Sequence, residues 1–544
     1  FAFTKVFDMI RAMQGSRVHI IILIAFSSLL YLPLLGKPDL WNSSELRYAQ
    51  VAKETLEGGH WVVPYYNGEV YYNKPPLFFC TVALISKFTG QVTELTARLP
   101  SALCALGTVV VTYFLGKHLF GPRAGLLAGL ILASSPKFHT YARAVRLDVM
   151  NTFLIASALT SFYYGYTYKQ RNYLLLSGLI TGLAMLTKGP LILYFLGASV
   201  VCYLVYCRDL RFLLSRDSLL GIIVILLTIS TWALLAYMEA GSSYFGGFVA
   251  ENFTRYEEKH IHPEAIPKYI GDVFIGAAPW SFLFPLVLYR HFSNGKDPGV
   301  SDPIPYGMGP SKKAMFLVIW VVVMFLSFCL TFTRRSPYLL VIYPPLAILV
   351  AQFFDTHILS LRQISQPRVY TYVLCLTAVV IGLLTGKAAN NPIISTQYVV
   401  TATLVSIAFL AIVGVLSIRN KSLHLLFVSS LISLSVCAVS MDIYFLPKIN
   451  EWVSTKVLCK EIQNLAKDGA AIGIYKEPAM RYTFYTDARV RPIPSEDVLA
   501  SFLDSSERAY CLISLENYQS LKKHASSLRT KELTLDKRYL VVFK

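Results

Sequence analysis

"PPLFFCTVALISKFTG", residues 75–90, is the stretch on which the fold turns. It is apolar, yet it opens on two prolines and carries Lys87. A helix needs about 20 apolar residues to cross a bilayer, so a run of this length suits an interfacial or re-entrant segment as well as a span. Whether it crosses decides on which side every later loop lies.

Around it, longer apolar runs recur. They fall near 18–36, 97–116, 122–136, 148–167, 172–187, 190–206, 218–238, 270–289, 314–332, 338–355, 369–386, 398–416 and 424–443. Of 544 residues, 55% are hydrophobic and 15% charged, where soluble domains carry about a quarter charged. A polytopic membrane protein is expected. The first run precedes "KPDLWNSSE", with no small-residue cleavage motif, which argues against a removable signal peptide.

Charge bias settles the ambiguous run. If 75–90 does not cross, one side receives Lys5, Arg11 and Arg17, "GKHLFGPR", "YKQRN", "CRDLRFLLSR", "YRHFSNGKDPGV" with "SKK", "LRQISQPR" and "IRNK". That side is basic and therefore cytoplasmic. If 75–90 crosses, the clusters alternate and the bias is lost. The reading is thirteen transmembrane helices over residues 1–446, an inside N-terminus and an outside C-terminus. The net charge of +18 is thus spent on membrane orientation, and no nucleic-acid partner is expected.

The outer face then collects two large loops, 37–96 and 239–269, the breaks at 137–147, "TKGP" and "TRRSP", the loop 387–397, and the segment 447–544. This last segment is polar. "AAIGIY" (470–475), "AYCLIS" (509–514) and "YLVVF" (539–543) have strand character, while "VSTKVLCKEIQNLAKDG" and "ENYQSLKKHASSL" have helical periodicity. A small α/β domain outside the membrane is predicted. Of nine cysteines, Cys459 and Cys511 share this segment and could pair if it faces an oxidising compartment; none of the nine has zinc-ligand spacing.

Ionisable residues near membrane depth are costly and usually face a cavity or substrate path. On the outer face these are Glu45, Arg47, Lys74, Asp148, Lys188, Arg255, His260, Arg334 and Arg335, with Tyr338 beside the last two. Several cations around few carboxylates suit a phosphate bearing a lipid tail. Each has a plainer reading. Lys74 and Lys188 can snorkel to the interface, Asp148 can pair with Arg143 or Arg146, and His260 with His262 fits a surface loop. In "WNSSELRYA" (41–49), Ser44 can cap a helix with Glu45 in its first turn, leaving Arg47 and Tyr48 on its exposed side. Asn42-Ser43-Ser44 also forms a glycosylation sequon.

"WNSSELRYA", "GGHWVVPYYNGEVYYNKPPL", "RLDVMNTF", "LTKGP" and "PYLLVIYPPLA", in this order across 37–345, resemble the membrane-embedded GT-C glycosyltransferases. The resemblance is to the protein O-mannosyltransferase-like superfamily, and within it to bacterial lipid A aminoarabinose transferases. It implies transfer of a sugar, aminoarabinose or another, from undecaprenyl phosphate to lipid A or another envelope glycolipid or glycan. The anomeric centre would be inverted, on the periplasmic side of a bacterial inner membrane. It implies Lys74, Arg255 and Tyr71 at the carrier phosphate, Asp148 as an active-site carboxylate, and Tyr338 and Lys188 nearby.

This chain departs from the family pattern in three places. Ser44-Glu45 replaces an Asp-Glu pair, leaving Glu45 as the first-loop carboxylate. Asn73 and Asn252 replace a Glu and a His, the usual positions of a divalent metal, and no other cofactor is implied. Transfer to protein or polysaccharide, a lipid-carrier flippase and a silent carrier-binding paralogue are the competing expectations.

Overall fold

The computed structural model describes residues 16–252, 265–285, 287, 310–330, 336–359, 423–465, 470–486, 490–504, 509–524, 531–536 and 539–543. The expected spans 369–386 and 398–416 lie outside these residues. The chain divides into two compact units, one of residues 1–35, 72–78 and 98–446, the other of 36–71, 79–97 and 447–544.

In chain order the first elements are α1 (Ser16–Tyr31), α2 (Ser43–Gly58), β1 (Tyr65–Tyr66), β2 (Glu69–Val70), α3 (Leu77–Ser86), α4 (Glu94–Phe120), α5 (Pro122–Ser134) and α6 (Pro136–Ala142). Then come α7 (Leu147–Tyr168), α8 (Arg171–Lys188), α9 (Leu191–Cys207), α10 (Arg216–Asn252), α11 (Ala265–Gly276), α12 (Pro310–Leu330), α13 (Tyr343–Leu359) and α14 (Leu423–Ser440). Among the described residues, five helices are long and apolar enough to cross a membrane, and four more are apolar but shorter. The pivotal α3 has 10 residues, which at 1.5 Å per residue reach about half the hydrocarbon thickness.

Two expected spans are differently built. The run 270–289 is not one helix: α11 stops at Gly276, and Pro279, which has no N–H for a helical ladder, leads into a short 3-10 turn, Trp280–Leu283. The run 218–238 is only part of α10, which continues to Asn252 across a break at Gly241 (φ 70, ψ −169), a backbone state open to glycine. Residues 239–252 are therefore helical rather than loop.

Helices in the first unit pack on small residues. Gly178 of α8 faces Gly221 of α10 so closely that a Cβ at Gly178 would lie 3.2 Å from the Gly221 Cα. Such close approach is how helices associate where no water drives them together. At the C-terminal end of α1, the spare carbonyl of Tyr31 accepts from Arg143 at 3.0 Å, and that of Leu30 lies 3.1 Å from His139 Nε2. Asp442 in turn meets Arg143 Nε at 3.1 Å. The buried end of this helix is thus closed by side chains.

The second unit holds α2, the β1–β2 hairpin and the C-terminal segment. Asn42, not Ser44, caps α2: its Oδ1 accepts from the Ser44 N–H at 2.9 Å, and Ser43 is already helical. Tyr48 is buried and Arg47 half-buried, so that side of α2 is packed rather than exposed. The hairpin turns at Asn67 and Gly68, with φ of 58° and 77°, the pairing a two-residue type I′ turn requires. Glu54 of α2 accepts the N–H groups of both turn residues, at 2.6 and 3.0 Å.

The C-terminal segment adds α15 (Leu446–Val453), α16 (Lys456–Leu465), β3 (Ala471–Tyr475), β4 (Val490–Ile493), α17 (Glu496–Asp504), β5 (Ala509–Ser514), α18 (Leu515–His524), β6 (Lys531–Asp536) and β7 (Tyr539–Phe543). The sheet order is β4-β3-β5-β7-β6, parallel across the first three strands and antiparallel at β7 and β6. The three expected strands are present, and β4 and β6 are additional. Cys511 points with Ala509 and Ile513 into one face of this sheet, whereas Cys459 of α16 packs with Ile472, Ile474 and Leu512 on the other. The expected pairing is therefore overturned: both thiols are free and buried, on opposite faces. Burial pushes the Cys459 thiol up to about 12.

Asp39 ties the first loop to this segment. Its carboxylate accepts from Asn450 Nδ2 (3.0 Å) and Ser454 Oγ (2.8 Å) and meets Lys456 Nζ at 3.3 Å, while Lys456 also pairs with Glu94. Replacing Glu54 with Ala should release the hairpin turn. The loss of a charge-assisted pair, about 1.5 kcal/mol, should speed proteolytic cleavage within 65–70 by about tenfold, as measured by limited digestion.

Candidate functional site

The first unit concentrates charge where α8 ends and α9 begins. Lys188 is the last residue of α8, and the next, Gly189, has φ +112, a conformation that breaks the helix and that side chains disfavour. The break halts the chain with the Lys188 side chain beside the first turn of α7. There its Nζ lies 2.8 Å from Asp148 Oδ1, both side chains being largely buried. The same ammonium sits 3.7 Å from the ring centroid of Tyr338 and 5.9 Å from that of Phe328. The attraction of a cation for an aromatic face fixes its direction further.

Lys188, Gly189, Asn252, Tyr338 and Lys74 line one cavity of about 40 Å³. A single water takes about 10–15 Å³ on this measure, so the space suits a phosphate-sized group rather than a sugar ring. Lys74 lines the same cavity, and its Nζ donates to the Asn73 carbonyl at 2.8 Å. Of the two pairings considered for Asp148 in the sequence, neither is the one formed. Arg143 goes to Asp442, and Asp148 takes Lys188 instead, with Arg146 and Lys74 the next positive charges around it.

The positions of a divalent metal are occupied by amides already in use. Asn73 donates through Nδ2 to Glu251, and Asn252 donates through Nδ2 to the carbonyls of Phe248 (2.9 Å) and Tyr72 (3.2 Å). Each amide keeps its Oδ1 as an acceptor, and among the described residues no three His, Cys, Asp or Glu side chains cluster.

Ser44, Glu45, Arg47, Tyr48 and Tyr71 all belong to the second unit. There Tyr71 packs its ring against Tyr66 (6.2 Å) and Phe79 (5.9 Å). Arg47 lies 5.5 Å over the ring of Tyr48. Burial works against the Arg47 charge, but the phenolic oxygens of Tyr71, Tyr48 and Tyr66 more than offset it, and its pKa is raised. Arg255, His260, Arg334 and Arg335 lie outside the described residues.

Two features escaped the sequence reading. Asn151, one turn beyond Asp148 on α7, is fully buried with no partner among the described residues on either end of its amide; its only signal is a polar residue three positions after an intramembrane carboxylate. The Asn67-Gly68 dipeptide between tyrosines is a standard hairpin signal that a reading centred on membrane spans passes over.

With this geometry in place, the comparisons can be stated. Residues 73–234 match the family model described as dolichyl-phosphate-mannose-protein mannosyltransferase. An uncharacterized protein of Aquifex aeolicus is 30% identical over 333 residues, covering 61% of this chain and 63% of that protein. The undecaprenyl phosphate-alpha-4-amino-4-deoxy-L-arabinose arabinosyl transferase of Shewanella sediminis is 27% identical, covering 62% of this chain and 60% of its own. The match thus spans about three fifths of the length of these relatives. The crystal structure of ArnT from Cupriavidus metallidurans bound to undecaprenyl phosphate superposes with a TM-score of 0.77 at 20% identity, over 96% of this chain and 97% of that one. The resemblance drawn from the motifs therefore holds, and the fold is of the ArnT-like GT-C type.

Asp148→Asn should leave the buried Lys188 ammonium without its anion and cost about 3–5 kcal/mol, visible as a lowered Tm. Adding Lys188→Met should recover most of that loss. Losses that simply add would show that the two side chains do not act as a pair.

Proposed function

We propose that this chain is a GT-C glycosyltransferase of the bacterial inner membrane. It moves a sugar from undecaprenyl phosphate to lipid A or another envelope acceptor on the periplasmic face. The observation that carries this reading is the phosphate-sized cavity between Lys74 and Lys188, with Lys188 held by Asp148 and Tyr338. In such a transfer the bond from the anomeric carbon to the carrier phosphate breaks as the acceptor oxygen attacks, and direct displacement inverts the centre. The departing phosphate gathers negative charge, and cations aimed at it before the reaction stabilise that charge without reorganising. Lys74 acts as the point charge on the phosphate, and Arg255 is assigned the same partner.

Acceptor chemistry bears on the carboxylates. A hydroxyl must lose a proton to a base, and the resemblance assigns Asp148 and Glu45 to that role. A phosphate monoester, with a second pKa near 6, is largely ionised at neutral pH and needs none. Asp148 is engaged with Lys188 at 2.8 Å, and with a phosphate acceptor its task is to set Lys188 in place. Relatives named for 4-amino-4-deoxy-L-arabinose support that sugar as a candidate donor, while Asn73 and Asn252 depart from the family pattern.

The test is transfer by the purified chain in lipid nanodiscs, given an undecaprenyl-phosphate sugar and lipid A and read as a sugar-sized mass gain. Lys74→Ala should lower the rate at least about a hundredfold, as loss of a preorganised charge does. Asp148→Asn should fall similarly, and Glu45→Gln should matter only for a hydroxyl acceptor. Full activity in both carboxylate variants would overturn their roles, and carrier binding without transfer to any acceptor would reduce the chain to a carrier-binding protein.

A further inference from the structure

The second unit contains a groove of about 710 Å³, lined on one side by Tyr66, Asn67, Glu69 and Tyr71 of the hairpin and on the other by Arg491 and Pro492 of β4. It falls inside the range of ligand sites, about 300–1,000 Å³, and of its lining only Tyr71 was among the residues implied at the carrier phosphate. We propose that this groove receives the saccharide headgroup of the acceptor glycolipid, a proposal that rests on the transferase reading.

Its wall chemistry is that of a sugar site. A pyranose offers hydroxyls around its rim and an apolar C–H face, so it is held by aromatic rings together with side chains that both donate and accept. Tyr66 and Tyr71 supply the rings, 6.2 Å apart. Asn67 supplies an amide, Glu69 an acceptor pair and Arg491 a planar donor fork. Glu69 and Arg491 are both exposed. They place one charge of each sign on the groove's walls.

The same geometry disfavours a peptide. β4 is an edge strand, bonded only to β3, and an open edge is where an extended chain adds. Ile493 turns its carbonyl inward, accepting from the Lys476 N–H at 2.9 Å. By strand alternation Pro492 then faces the open edge, where it has no N–H to give. With four residues and a missing donor, this edge cannot hold an added strand.

The groove is also held in shape beforehand. Glu54 clamps both turn amides of the hairpin, and Tyr66 Oη lies 3.3 Å from Thr483 Oγ1. A wall fixed before binding spares the ligand the cost of ordering it.

The test uses the full chain in nanodiscs and three probes: lipid A in mixed micelles, its acyl-free disaccharide headgroup, and undecaprenyl phosphate. In a Glu69→Ala/Arg491→Ala variant, Kd for lipid A and for the free headgroup should rise by about tenfold, the effect of losing a charge-assisted hydrogen bond. Undecaprenyl phosphate should bind as before, which also reports that the variant is folded. Lys74→Ala should do the reverse. Unchanged affinity for both saccharide probes in the double variant would overturn the proposal, as would binding of lipid A through its acyl chains alone, with the free headgroup ignored. Failure of the wild-type chain to bind undecaprenyl phosphate would instead count against the transferase reading, while the headgroup arm is judged separately.

Discussion

A single ion pair organises the first unit. Bringing the Lys188 ammonium and the Asp148 carboxylate out of water costs several kcal/mol for each charge, and only close, well-directed pairing offsets that. The pair sits where α8 ends. Gly189, at a φ that side chains disfavour, is what stops that helix. Much of the local architecture follows from that halt: the ammonium over Tyr338, the cavity beside it, and the half-helix α9 that begins again at Leu191.

The second unit is governed by a different economy. Its sheet is covered on both faces, with Cys511 under one and Cys459 under the other. Its junction with the first loop is polar and dense in charge. Asp39, Glu94 and Lys456 share one network with Asn450, Ser454 and Tyr485. Burial and the Glu94 carboxylate together raise the Tyr485 pKa, keeping it a neutral donor to Glu94 while it accepts from the Leu40 N–H. Such a junction specifies one arrangement, because each buried polar group that lost its partner would carry a desolvation cost.

How much of this could be read beforehand depended on the kind of signal. The strands at 471–475, 509–514 and 539–543 were legible because β-branched and aromatic residues ran in short blocks bounded by polar ones. Lys74, Asp148, Lys188 and Tyr338 were legible as a group because charge is rare in apolar surroundings. Their pairing was not: Asp148 and Lys188 are 40 positions apart, and two nearer arginines offered an easier match. The cap of α2 was misplaced by two residues because Asn42, Ser43 and Ser44 are all competent caps. The extent of α10 was missed because an apolar pattern says little about a helix that continues past its hydrophobic stretch.

That helix has a further implication. The part of α10 before Gly241 alone measures about 37 Å at 1.5 Å per residue, enough to cross a hydrocarbon core of about 30 Å. Only 17% of its most apolar window is buried by protein, so lipid is the main solvent of its sides. Its final residues, Glu251 and Asn252, hold Asn73 and the Tyr72 carbonyl beside the cavity. The cavity wall is therefore carried by the part of α10 beyond Gly241, joined to the bilayer-length part through a single glycine.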